Sequence, residues 1–149
     1  DEIHNDFILP GHTHTVFSTI SEYAAQNSVV STSASKTFNL AGLQFSTNFI
    51  QNPVLKRKFH AERDKTGYDE PSLMGLVAAQ AAYQNGKPWL CALKKHLQEN
   101  LDFLRSWLKT NLPKVRLIEG ENFQRINIAT PRPLLQDALE RIRNALETV

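Results

Sequence analysis

Lys36 is the residue whose surroundings point most directly to chemistry. It stands in Ser33-Ala34-Ser35-Lys36-Thr37-Phe38-Asn39-Leu40-Ala41-Gly42-Leu43, among small hydroxyl residues and shortly before a glycine. Most lysines are solvated surface charges. One held at an apolar sheet edge can lose its proton and form a Schiff base with a carbonyl. Arg125 falls inside the strand-like run 123–129, on a face shared with Asn127. Burying a guanidinium alone is very costly, and its fork matches a carboxylate. That carboxylate is either a protein side chain or a ligand, and spacing leaves both open. Asp1 adds a carboxylate near a strand end, for which a solvated terminal residue is the plainer reading.

Other candidates carry less. His12 and His14 would share one side of a strand and could take a metal, but no third ligand stands out, so a polar loop is expected and no metal site. A lone cysteine, Cys91, excludes an internal disulfide and suits a reducing, cytoplasmic setting. It lies on an amphipathic stretch, where a core or semi-buried thiol is expected, so neither a Cys-His nor a Ser-His-Asp set can be assembled. Glycine-rich phosphate loops of the G-x-G-x-x-G or P-loop kind are absent.

The elements that must position Lys36 can be read from pattern. Residues 28–33 form a buried strand, which places Lys36 just past its C-terminal end, where open α/β sheets bind ligands. Leu43, Phe45, Thr47 and Phe49 alternate with Gln44, Ser46 and Asn48, predicting a second strand over 43–50. Gly42 between them supplies a tight turn or a close approach. Ser21 caps a short helix that Asn27 ends, and Pro53 opens a helix with a basic, solvated face. A small-residue helix covers 73–83. Leucines 90, 93, 97, 101, 104 and 108 then form one apolar stripe, which Pro113 terminates. Short strands are expected at 115–118 and 123–129, before a closing helix led by Pro131 and Pro133.

The whole chain is ordinary α/β material. It has 149 residues, 41% hydrophobic and 21% charged, with a net charge of +2. That charge is too small to argue for nucleic acid or a membrane surface. No apolar run reaches the ~18–20 residues of a membrane-spanning helix. The sequence opens at Asp1 directly in strand-like sequence, which reads as a fragment or a processed piece.

Ser33-Ala34-Ser35-Lys36 followed by Gly42 resembles the cofactor-lysine signature of fold-type I enzymes that use pyridoxal 5'-phosphate (PLP). The string from Ser35 to Gln44 resembles the cystathionine β-lyase-type carbon–sulfur lyases. So do Asp1-Glu2-Ile3-His4, Ala82-Tyr83 with Gly86 to Leu90, and Arg125 to Arg132. The resemblance covers nearly the whole chain in order. It implies a partial fold-type I architecture: 1–71 as part of the PLP-binding large domain, 72–110 as linking helices, and 111–149 as part of the small domain. It also implies roles. Lys36 would carry PLP covalently and move the substrate Cα proton. Asp1 would pair with the pyridine nitrogen, with His4 near it. Ser33 and Ser35 would offer hydroxyls to the phosphate, and Arg125 would clamp the substrate carboxylate. The reaction implied is β-elimination from a cystathionine- or cysteine-type substrate to thiol, pyruvate and ammonia, in a cytoplasmic homodimer.

The departures matter too. Related aminotransferases often carry an arginine eight residues after the lysine, where this chain has Gln44. The family is considerably longer; its N-terminal half, with the phosphate-binding turn and the ring-stacking aromatic, has no counterpart here. A second gap is expected near Glu119-Gly120. The alternatives are therefore a class I/II aminotransferase and a non-catalytic remnant.

Overall fold

The computed structural model describes residues 1–8, 11–68, 70–115 and 126–147. It divides into two compact units, Asp1–Cys91 and Ala92–Val149.

The first unit holds a two-stranded antiparallel sheet, β1 (Val30–Thr32) and β2 (Thr47–Phe49), in the register Val30↔Phe49, Ser31↔Asn48 and Thr32↔Thr47. Ahead of β1 lies α1 (Glu22–Gln26), where the Ser21 side chain accepts from Ala24 N at 3.1 Å. Between the strands lies α2 (Ala34–Thr37), a single turn capped by Ser33. α3 (Pro53–Lys65) starts as expected, with Pro53 in its first turn and Asn52 Oδ1 accepting from Val54 N and Leu55 N. Asn52 also donates to Gln26 O at 3.0 Å, which ties the start of α3 to the end of α1. α4 (Leu73–Asn85) follows, with Ser72 as its cap.

β2 is shorter than the alternating sequence predicts. Ala41–Leu43 form one 3-10 turn instead, and Gln44 adopts φ 49°, a left-handed conformation no strand can contain. The second left-handed residue is Asn39 at φ 57°. Gly42 has neither a positive φ nor a close neighbour, so the turn is made by Asn39 and Gln44 and not by the glycine.

α5 (Lys87–Asn111) crosses the division between the units. Cys91, expected in the core or semi-buried, is exposed on its first turns. In the second unit Leu104, Trp107 and Leu108 of α5 meet Leu135 and Leu139 of α6 (Arg132–Glu147), with Phe103, Leu112 and Ile128 around them. This is the three- and four-residue spacing of one apolar stripe. The strand expected at 123–129 is not formed over 126–129; its first three residues, and all but Val115 of the 115–118 strand, lie outside the described residues. The reason is local. Asn127 Oδ1 accepts from Ala129 N at 2.8 Å, a turn that competes with a ladder. The carbonyls of Ile128 and Thr130 are taken by the side chain of Asn100.

Candidate functional site around Lys36

Lys36 occupies the end of α2, exposed to solvent, and its ammonium makes no hydrogen bond or ion pair among the described residues. A four-residue helix has no stability of its own, so its surroundings must fix it. Ser33 does so from both sides: its hydroxyl accepts from Ser35 N at 3.0 Å and donates to Phe45 O at 2.6 Å. Thr37 is fully buried and donates to Asp6 Oδ2 at 2.7 Å, across 31 positions of sequence. Phe38 then wedges between Tyr83, edge-on at 5.8 Å, and Trp89 at 5.7 Å.

Two glycines permit that wedge. A Cβ at Gly75 would sit 2.9 Å from both Leu43 O and Phe45 Cβ, and one at Gly86 would run into the Phe38 ring and Ala82 O. The two ends of α4 are thus pressed against the lysine segment, at positions where no side chain fits. The Tyr83 hydroxyl is pushed above its ordinary pKa, first by burial and then by the charge of Asp6.

The remaining predicted residues fall as follows. Glu2 N donates to Ser31 O at 2.8 Å, so the Asp1–Glu2 segment lies against β1 without forming a third strand. Asp1 is exposed and accepts from Ile3 N at 3.1 Å. His4 is exposed, with its ring 6.3 Å from that of Phe7. Ser33 is buried and its proton is committed to Phe45 O, whereas the Ser35 hydroxyl makes no hydrogen bond among the described residues. Arg125 lies outside the described residues.

Three residues that sequence reasoning passed over hold this arrangement: Glu2, Asp6 and Thr37. Glu2 receives Phe17 N at 2.7 Å and His14 Nε2 at 3.0 Å. His14 is thereby accounted for as a structural partner, and no cluster of three metal-ligating side chains exists among the described residues. The amide of Phe17, then the His14 hydrogen bond, hold the Glu2 carboxyl below its ordinary value of 4.5. A depressed carboxyl stabilises the fold above 4.5, and that contribution is lost as pH falls through the folded value. Glu2→Gln is therefore expected to lower stability at neutral pH, with the difference from the native chain closing in strong acid. Urea midpoints measured across this range test it; a difference that persists unchanged in acid would refute it.

The donor set suits an aldehyde-bearing, anionic cofactor. It offers an exposed primary amine on a fixed turn, a carboxylate at Asp1 and the Ser35 hydroxyl, which makes no hydrogen bond among the described residues.

Comparison with known proteins agrees with this chemistry. No family model matches the chain. It is 31% identical to the cystathionine β-lyase PatB of Bacillus subtilis, over 98% of this chain and 49% of that protein. The alignment runs over 188 positions, more than the 149 residues available, so the relative carries residues within that span that have no counterpart here. Cystalysin from Treponema denticola, which contains a PLP cofactor, superposes with a TM-score of 0.90 at 29% identity, covering 99% of this chain and 48% of that one. The PLP-bound C–S lyase from Staphylococcus hominis does so with a TM-score of 0.80 at 28% identity, over 98% and 48%. By sequence and by fold, then, the chain is related to the PLP-dependent, fold-type I carbon–sulfur lyases of the cystathionine β-lyase type, and it spans about half of their length.

Proposed function

We propose that the chain carries the lysine-bearing part of a PLP-dependent C–S β-lyase acting on cystathionine- or cysteine-type amino acids, and that the intact protein is a cytoplasmic homodimer. The observation that carries this reading is the mounting of Lys36: a free amine on a turn fixed by Ser33, Thr37 and Phe38. PLP, when bound, supplies an electron sink for a carbanion at the substrate Cα. Lys36 would be the amine that holds PLP and the group that moves the substrate Cα proton. Asp1 would hold a proton at the pyridine nitrogen, His4 would line the cofactor's side of the same segment, and Arg125 would orient the substrate carboxylate. Ser33 and Ser35 serve the phosphate. Ser33 does so through the backbone turn it caps, since its own proton is committed, and Ser35 through its free hydroxyl.

A phosphate with close to two negative charges needs more donors than one turn provides. The 149-residue chain alone is therefore expected to turn over poorly. The test supplies the unmatched half of the Bacillus subtilis protein as a separate polypeptide, then adds PLP and L-cystathionine. Pyruvate released without any keto acid is the expected result. Product formation only with an added keto acid would replace the lyase reading by an aminotransferase. No product under either condition would leave the non-catalytic alternative.

A further inference from the structure

Hydrogen bonds tie residues 1–7 to the rest of the first unit at three points among the described residues. The Glu2 carboxylate is held by Phe17 N and His14 Nε2. The Glu2 amide donates to Ser31 O at 2.8 Å. Asp6 Oδ2 accepts from the Thr37 hydroxyl at 2.7 Å. The last two ties share one sequence direction, since residue 2 meets residue 31 and residue 6 meets residue 37. Asp1 and Lys36 each stand one position from a tie. Between the ties the chain turns, with Asn5 N donating to Glu2 O and Phe7 N to His4 O, both at 3.0 Å. The Thr37–Asp6 tie alone reaches α2. Thr37 has no exposed surface, so its hydroxyl must find a partner within the fold. A carboxylate partner makes the bond charge-assisted and roughly twice as strong as a neutral one. Valine would fill nearly the same space, so what the hydroxyl adds is the bond to Asp6.

We propose that Asp6 is a positioning residue: through Thr37 it holds the segment bearing Asp1 and His4 in register with the turn bearing Lys36. The carboxylate meant for the ring nitrogen and the amine meant for the aldehyde then keep one separation. Asp6 acts through Thr37 and needs no contact with cofactor or substrate. Without the bond, the Asp1 segment would be joined to this region only through β1 and the Glu2 contacts. The single turn of α2 has no stability of its own with which to keep its place. The proposal rests on the roles given to Asp1 and Lys36 above.

The first measurement is amide hydrogen exchange on the full 149-residue chain without cofactor. Thr37→Val should speed exchange about tenfold at Asn5 and Phe7 as well as at Phe38 and Leu40, while Lys56 in α3 of the same unit keeps its native rate. Thr37→Ser, which keeps the hydroxyl, should restore both sets. Should Thr37→Val alter the circular dichroism, Asp6→Asn leaves Thr37 an acceptor without charge and should move the same four amides by about threefold. Acceleration confined to Phe38 and Leu40 would overturn the proposal, because the two segments would then be independent. The second measurement compares borohydride fixation at Lys36 of PLP and of the analogue with C–H in place of the ring nitrogen. The native chain should favour PLP by about tenfold. Thr37→Val should bring that preference close to one, and Thr37→Ser should restore it. A preference unchanged in Thr37→Val would make the bond structural only, which also overturns the proposal. No preference in the native chain would instead remove Asp1 from the site, and the proposal with it, while the exchange rates would still report the tie.

Discussion

Lys36→Ala is expected to remove nearly all of the PLP that borohydride fixes to the chain. Lys56→Ala or Lys58→Ala should remove almost none. All three amines are exposed, so exposure alone predicts equal labelling. The difference lies in mounting. Lys56 and Lys58 sit at exposed positions on two different sides of α3, Lys56 beside a cavity of the first unit and Lys58 away from it. Lys36 sits on a turn whose backbone is held by the Ser33 cap, by the buried Thr37–Asp6 hydrogen bond and by Phe38 between Tyr83 and Trp89. Fixing the reacting amine near neighbouring polar groups raises its effective concentration toward a bound aldehyde. Because Lys36 is exposed and its ammonium makes no hydrogen bond or ion pair among the described residues, the variant should keep its circular dichroism. Peptide mapping of the reduced adduct is the measurement. Label spread evenly over the lysines, and unaffected by Lys36→Ala, would remove the site assignment.

The lysine segment was legible because its signal is local. Ser33-Ala34-Ser35-Lys36 and the hydrophobic run before it are contiguous, and contiguous residues carry strand, cap and turn preferences directly. For the same reason the Ser21 cap, the Pro53 start and the leucine stripe of α5 appear where the pattern places them. What holds the segment was not legible. Asp6 meets Thr37 across 31 positions, and Glu2 meets Phe17 across 15; neither pair has a spacing that sequence periodicity reports. The strand over 43–50 was overcalled because alternation describes side chains, whereas the break at Gln44 is a backbone event. Cys91 was misplaced for a related reason. An apolar stripe describes a face that a helix could bury, and α5 buries its side chains only from Asn100 onward, so the thiol near its start stays in solvent. The exposure of Leu73, Met74 and Val77 on α4 belongs to the same pattern, since a helix apolar on all sides is ordinarily buried.

Asn100→Ala is expected to destabilise the second unit by about 3–5 kcal/mol, the range of a broken buried network. Asn100 has no exposed surface. Its amide donates to Ile128 O at 2.7 Å and to Thr130 O at 2.9 Å, and its carbonyl accepts from Arg132 Nε at 2.7 Å. With both amide protons on carbonyls, His96 Nε2, 3.1 Å from Thr130 O, is best satisfied as a second donor to that oxygen. Alanine would leave two carbonyls and a guanidinium short of partners, at about 1–3 kcal/mol for each group left unsatisfied. Arg132 keeps its place over the Phe103 ring, 4.6 Å from the centroid, so the loss should fall short of a full sum. A small domain has only about 5–15 kcal/mol in total, and the variant should therefore unfold this unit at much lower urea. Trp107, 8% exposed in the core of the unit, reports the transition by fluorescence. Arg132→Lys loses the Nε bond to Asn100 Oδ1 and the ring contact but leaves both backbone carbonyls with their Asn100 donors, and about 1–3 kcal/mol, the cost of one unsatisfied buried group, is expected for it. A cost for Asn100→Ala no larger than that for Arg132→Lys would mean that solvent reaches the network. The segment from Ile128 to Arg132 would then be held by the packing of Ile128 against the α5–α6 core and not by this amide.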